Sequence, residues 1–285
     1  VNKYVCYTGD YEYIRQKLFD SMKSIIHHYA EGTLFGIGMD EDFLISAGDE
    51  NIQLTWMDAK VWDKVITPRH GKAVEISALW YNALRVMAGL SGEFGEDPSR
   101  YISLADGVSE SFLKTFWNSE KQCLYDVVNR DFKDDSIRPN QILAVSLSHN
   151  VIDGEPARKV VERVWRELYT AYGLRSLSPG SGEYRGVYTG DQYARDSAYH
   201  QGTVWAWPLG HFITAFVKVY GSEEVVRERA LSFIQPFRDH LKDACVCYIS
   251  EIFDGNEPLT PRGCFAQAWS VGEILRAYLE DVVSG

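Results

Sequence analysis

Val74-Glu75-Ile76-Ser77-Ala78-Leu79-Trp80-Tyr81-Asn82-Ala83-Leu84 is apolar around most of a helical circumference, with one acidic side chain at its head. A helix without a polar stripe has no face to offer water and is expected to be buried. Two other stretches, Arg158-Lys159-Val160-Val161-Glu162-Arg163 and Arg227-Glu228-Arg229, carry charged stripes and predict surface helices. The first pattern recurs at Asn140-Gln141-Ile142, at His200-Gln201-Gly202 before Val204-Trp205-Ala206-Trp207, and at Ala266-Gln267-Ala268. Glu75, Gln141, Gln201 and Gln267 are 66, 60 and 66 residues apart. Inner and outer helices therefore alternate with a period of about 64, which implies stacked αα hairpins. Closed into a ring, such hairpins form an α/α toroid; left open, they form a solenoid.

Three- and four-residue apolar spacing predicts helices over 11–30, 74–90, 99–117, 139–149, 155–172, 200–220, 223–241 and 265–279. Gly89, Gly173 and Gly221 read as helix ends. Strand signals are few, 245–253 being the best, so the expected fold class is all-α, an (α/α)6 toroid. Six hairpins of this period need about 380 residues, and 285 supply roughly four and a half. Counting back from the last inner helix makes 1–7 the tail of another. The expectation is one barrel domain over 1–285 that lacks its first three helices and most of the fourth.

Composition narrows the function. With 45% hydrophobic and 24% charged residues the chain can bury a core. A net charge of −11 without a Lys/Arg cluster argues against nucleic acid as a partner. The longest apolar candidate, 205–220, is broken by Pro208, Gly210, His211 and Lys218, so no membrane span is expected. Five cysteines without framework spacing fit a reducing, cytoplasmic compartment. Cys245 and Cys247 lack a second pair, and no phosphate, dinucleotide or zinc-protease motif occurs, so neither metal nor cofactor is expected.

In a toroid the loops entering the inner helices share one mouth. Three are long: 31–73, 173–199 and 242–263. The first holds Thr55-Trp56-Met57-Asp58-Ala59-Lys60, where a carboxyl beside an aromatic plane loses hydration and suits a proton donor. An Asp capping a turn, or paired with Lys60 or Arg69, is the plainer reading. Glu251, at the end of a short strand, reads as a second carboxylate or as a solvated acid. Glu75 could orient substrate or pair with Arg69 and Lys72. His200 could bond a sugar hydroxyl or be structural. Two carboxylates at one mouth among Trp and Tyr match glycoside hydrolysis, which needs an acid, a base and flat faces for sugar rings.

Gln53-Leu54-Thr55-Trp56-Met57-Asp58-Ala59-Lys60, Thr67-Pro68-Arg69-His70-Gly71-Lys72-Ala73-Val74-Glu75-Ile76 and Ala78-Leu79-Trp80-Tyr81-Asn82-Ala83-Leu84 carry a resemblance. It continues through Arg138-Pro139-Asn140-Gln141, Tyr199-His200-Gln201-Gly202-Thr203-Val204-Trp205 and Ser250-Glu251-Ile252-Phe253-Asp254-Gly255, and ends at Pro261-Arg262-Gly263-Cys264-Phe265-Ala266-Gln267-Ala268-Trp269-Ser270. In this order the blocks resemble the C-terminal amylo-α-1,6-glucosidase domain of glycogen debranching enzymes, particularly the bacterial and archaeal type. The resemblance implies an (α/α)6 barrel that removes α-1,6-linked glucose stubs from a branched α-glucan (glycogen or limit dextrin) with inversion and without metal. The family's acid falls on Asp58 and its base on Glu251. Trp56, Trp80, Tyr199, Trp205 and Trp269 would be ring platforms, and Arg69, Gln201 and Gln267 would bind hydroxyls. Lys60, Glu75 and His200 complete the expected substrate contacts. The missing N-terminal part of the same protein is an expected partner. His70 and Ala206 depart from the family pattern. Two other readings stay open: a non-catalytic glucan-binding fragment, and a toroid epimerase or lyase leaning on His200.

Overall fold

The computed structural model describes residues 1–130 and 132–283. It is mostly helical, but short antiparallel strands bridge the helices, which corrects the all-α expectation. Helix Val74–Glu93 buries side chains on most of its circumference, as its sequence requires. Helices Ser99–Phe116 and Gly154–Leu168 bury one face each.

The helices expected to be inner pack on one another in chain order: Val74–Glu93 on Leu143–Ser146, that on Trp207–Tyr220, and that on Ala268–Ala277, which buries only one face. The last two approach closely because Gly210 has no side chain; a Cβ there would lie 2.6 Å from the Glu273 carbonyl oxygen. These four helices, with Asn2–Thr8 and Phe19–Glu31, line a cavity of about 630 Å³. One apolar core runs from Val5 to Ala277, anchored by fully buried Phe112, Phe116, Phe212 and Phe253. Each such side chain contributes about 1.5–3 kcal/mol of burial. Among the described residues no helix is long and apolar enough to cross a membrane.

Several boundaries differ from expectation. The helix expected from residue 200 begins at Trp207, behind Ala206 with Pro208 in its first turn; the intervening residues make a turn and strand Val204–Trp205. Gln201 therefore heads no helix. The 139–149 segment is a 3₁₀ turn, Pro139–Ile142, running into Leu143–Ser146. Helix Val74–Glu93 passes straight through Gly89, and Gly173 opens a strand. Gln192–Tyr199, expected to be loop, is a helix capped by the Asp191 side chain.

The strands that matter form a five-stranded antiparallel sheet, ordered Tyr169–Thr170, Gly173–Arg175, Val204–Trp205, Ile252–Phe253 and Pro261–Arg262. Trp205 pairs with Leu174 on one side and Ile252 on the other, and Ile252 pairs with Arg262. The sheet stitches segments near three successive helices into one platform. Of the strand expected over 245–253, only Ile252–Phe253 forms.

Candidate active site

Glu251 immediately precedes the strand Ile252–Phe253 and is half-buried. Its two oxygens take one donor each: Oε1 from the Tyr199 hydroxyl at 2.5 Å, and Oε2 from the Cys264 backbone N–H at 2.8 Å. Gly263 permits this clamp. Its φ of 64° is left-handed, and a Cβ would lie 2.4 Å from Glu251 Oε2. A carboxylate accepts about four hydrogen bonds, so capacity remains for a water.

Tyr199 ends the helix Gln192–Tyr199. Its phenol is pushed well above the ordinary tyrosine value, first by burial and then by the Glu251 carboxylate, with Tyr188 and Asp58 acting in the same direction. It therefore stays protonated and serves as a donor. Glu251 and Asp58 thus act on one phenol, from loops almost two hundred residues apart in sequence.

Asp58 is exposed, so the shielding expected from Trp56 is absent. Trp56 turns inward instead. Its ring meets His200 at 5.3 Å, Trp205 at 5.2 Å, Trp207 at 4.9 Å and Trp269 at 6.5 Å, each edge-on. Trp207 and Trp269 stack at 4.2 Å, and Trp269 remains exposed at the edge.

A buried polar chain anchors Trp56. Its indole N–H donates to Asn140 Oδ1 at 2.7 Å, and Asn140 Nδ2 donates to Asp126 Oδ1 at 2.7 Å. Asp126 Oδ2 receives Arg69 Nε at 2.7 Å, and Arg69 grips Glu75 with both terminal nitrogens. Burial alone would lower the Arg69 value, but Asp126 and Glu75 outweigh it and hold the guanidinium firmly charged. Arg138 runs alongside, donating to the His200 carbonyl at 2.7 Å and to Gln201 Oε1 at 2.6 Å.

The expected site residues divide accordingly. Glu251, Tyr199, Trp56 and Trp269 are joined through Trp205, and Asp58 lies two residues after Trp56. Trp205 joins them from the core side, buried, with its indole N–H on the Tyr199 carbonyl at 3.0 Å. Gln267 is the N-cap residue of Ala268–Ala277, half-buried nearby on the chain that carries Trp269. Corrections follow for most of the rest. Arg69 and Glu75 are sealed in their mutual ion pair, so neither presents a polar group to a ligand. Trp80 is buried against Tyr29 and donates to the Phe43 carbonyl, so it is core and not a platform. Gln201 is mostly buried, its Oε1 taken by Arg138, at the inner end of a groove, and half-buried Lys60 donates to the Asn51 carbonyl at 3.1 Å; neither placement excludes a ligand contact. Sequence reasoning misses the roles of Asp126, Arg138 and Asn140. An acid set in Leu124-Tyr125-Asp126-Val127-Val128 signals a buried partner, but that partner, Arg69, lies 57 positions away.

His200 is fully buried, and neither ring nitrogen has a hydrogen-bond partner. Burial first, then the charges of Arg138 and Arg69, lower its pKa to about 3. It is a neutral ring stacked on Trp205 at 5.2 Å, which removes it as a sugar contact and as the acid–base residue of a lyase or epimerase. In the unfolded chain it titrates near 6.5, so between the two values the unfolded state binds the extra proton. Stability from this residue is complete above about 6.5 and is lost as pH falls toward 3. Unfolding free energies from urea titrations at pH 7 and pH 5 should differ by about 2 kcal/mol from this residue alone. His200→Phe should remove that part of the slope; an unchanged slope would refute the assignment.

A clamped carboxylate beside a tryptophan cluster on a mostly helical scaffold fits a glycoside hydrolase. The chain belongs to the amylo-alpha-1,6-glucosidase family, whose model matches residues 1–276. A glycogen debranching enzyme of Saccharomyces cerevisiae is 28% identical over 217 aligned residues, which take in 61% of this chain and 14% of the yeast protein. The chain thus spans a small part of that relative's length. The GH78 family rhamnosidase of Bacillus sp. GL1 shares the fold at a TM-score of 0.61 and 15% identity, covering 96% of this chain and 24% of that one. A GH63 mannosylglycerate hydrolase from Thermus thermophilus superposes at 0.51 and 15% identity, over 73% and 45%.

Proposed function

We propose that this chain is the catalytic part of a glycogen-debranching glycosidase that hydrolyses α-1,6-linked glucose stubs with inversion. The helices packed in order around one cavity support an (α/α)6-type barrel. The observation that carries the reading is the Glu251 carboxylate clamped by Tyr199 and the Cys264 N–H, next to the ring cluster of Trp205, Trp56 and Trp269 that Asp58 follows in sequence by two residues. Asp58 gives a proton to the glycosidic oxygen as its bond to C1 breaks. Glu251 takes a proton from water, whose oxygen attacks C1 from the opposite face. Tyr199 and the Cys264 N–H hold Glu251 in place. The substrate is a neutral branched glucan, so substrate and product need no charged subsite. Five free cysteines support a cytoplasmic setting.

Proton NMR of the glucose first released from limit dextrin tests the reaction. Inversion at an α-linkage delivers the β-anomer first. Early α-glucose would exclude inversion, and glycogen binding without glucose release would favour the non-catalytic alternative.

A further inference from the structure

Trp62 is 81% exposed, more than any other large apolar side chain described. A single exposed apolar residue is ordinary, but three further features set this one apart. First, it sits at the two-residue tip of a hairpin in which Val61 pairs with Lys64, and its φ of 52° is left-handed. Asn, Asp and Gly usually fill such a position, and a bulky residue there is strained, which is a mark of functional sites. Second, its ring lies nearly parallel to that of Tyr193, with 17° between planes and 6.1 Å between centroids, and Tyr193 is itself exposed. Third, Tyr193 and Lys64 border a groove of about 600 Å³ that runs inward to Ser197 and Gln201.

The position relative to the carboxylates gives the pair a meaning. The segment 58–62 carries Asp58 at one end and Trp62 at the other. The helix Gln192–Tyr199 packs on strand Lys60–Val61 and carries Tyr193 near one end and Tyr199, the Glu251 partner, at the other. Six helical residues span about 9 Å. Two elements thus lead from the carboxylates outward to one aromatic pair. The groove wall mixes signs, with Lys64 and Arg185 against Glu183, which suits a neutral polyhydroxylated ligand better than an ionic one.

We propose that Trp62 and Tyr193 form an outer subsite that grips a glucose unit of the glucan chain bearing the branch. The inference rests on the glucan reading above and adds a binding site to it. Aromatic faces hold the apolar faces of sugar rings, while Lys64, Glu183 and Arg185 reach hydroxyls.

Affinity electrophoresis of the 285-residue chain through gels containing glycogen tests it. Trp62→Ala and Tyr193→Ala should each weaken apparent glycogen affinity by about 5- to 10-fold. Val225→Ala, a change at another exposed apolar residue on helix Glu224–Ile234, should leave it at the parental value. Matching thermal midpoints would establish that all three variants are folded. Parental retardation in both aromatic variants, equal loss in Val225→Ala, or no retardation of the parent would overturn the subsite. Asp58→Asn separates the two readings. Turnover lost there with glycogen binding intact in Trp62→Ala sinks the subsite alone. Turnover surviving there while Trp62→Ala binds poorly sinks the catalytic reading and leaves the subsite standing.

Discussion

Glu251→Gln is expected to lower glucose release from a branched α-glucan by about 10²-fold or more, and Asp58→Asn by a similar factor. That is at least about 2.7 kcal/mol of transition-state stabilisation. The amide keeps the size of the carboxylate. It can still accept one hydrogen bond, and the Tyr199 hydroxyl can rotate to accept the other, so the clamp around residue 251 survives. What the amide cannot do is take a proton from water. The loss should therefore appear as lower kcat with an unchanged thermal midpoint and retained glycogen binding. Near-parental glucose release by both variants would remove the two carboxylates from the reaction.

Arg69→Met is expected to cost about 3–5 kcal/mol of folding stability, read as a lower urea midpoint. Arg69 and its partners Glu75 and Asp126 are all almost fully buried. Removing the guanidinium leaves two buried carboxylates facing each other, with only Arg138 Nε, 3.8 Å from Asp126 Oδ2, to offset them and, among the described residues, nothing opposite Glu75. A domain with a net stability of about 5–15 kcal/mol feels this strongly. Arg69→Lys should recover little, because one ammonium cannot reproduce the fork that serves Asp126 through Nε and Glu75 through both terminal nitrogens. A cost under about 1 kcal/mol would show that the buried pair is replaceable. The damage should also reach the loop holding Asp58, since Asp126 is the link to Asn140 and Trp56.

What could be read from the sequence was whatever repeats over a long window. Alternation of all-apolar and striped helices survives local irregularity, so the mostly helical character was legible from 74–84 and 158–163. The two-residue strands were not, because a period of two cannot be recognised in two residues. Gln201 was misplaced for the same reason: its polar-then-apolar context imitates a helix head, but pairing of Val204–Trp205 in the sheet delays the helix to Trp207. Asp58 and Glu251 stood out as acids among aromatic or apolar neighbours. Which aromatics face solvent was not readable. Trp80 and Trp205 share the composition of Trp269, and only packing against Phe43 and Tyr199 buries them. The Asp126–Arg69 link joins segments too far apart in the chain for spacing to reveal.

The two carboxylates rest on unlike foundations. Glu251 is moored at the edge of a strand whose place in the sheet is set by backbone hydrogen bonds, with Tyr199 and the left-handed Gly263 as the side-chain-dependent parts of its clamp. Asp58 lies two residues after Trp56, which is held by a line of side chains running through Asn140 and Asp126 to Arg69. Inheritance would therefore act on them differently. The proposed base tolerates change in the strand side chains around it but not at Gly263 or Tyr199, whereas the segment of the proposed acid rests on five particular residues, counting Glu75.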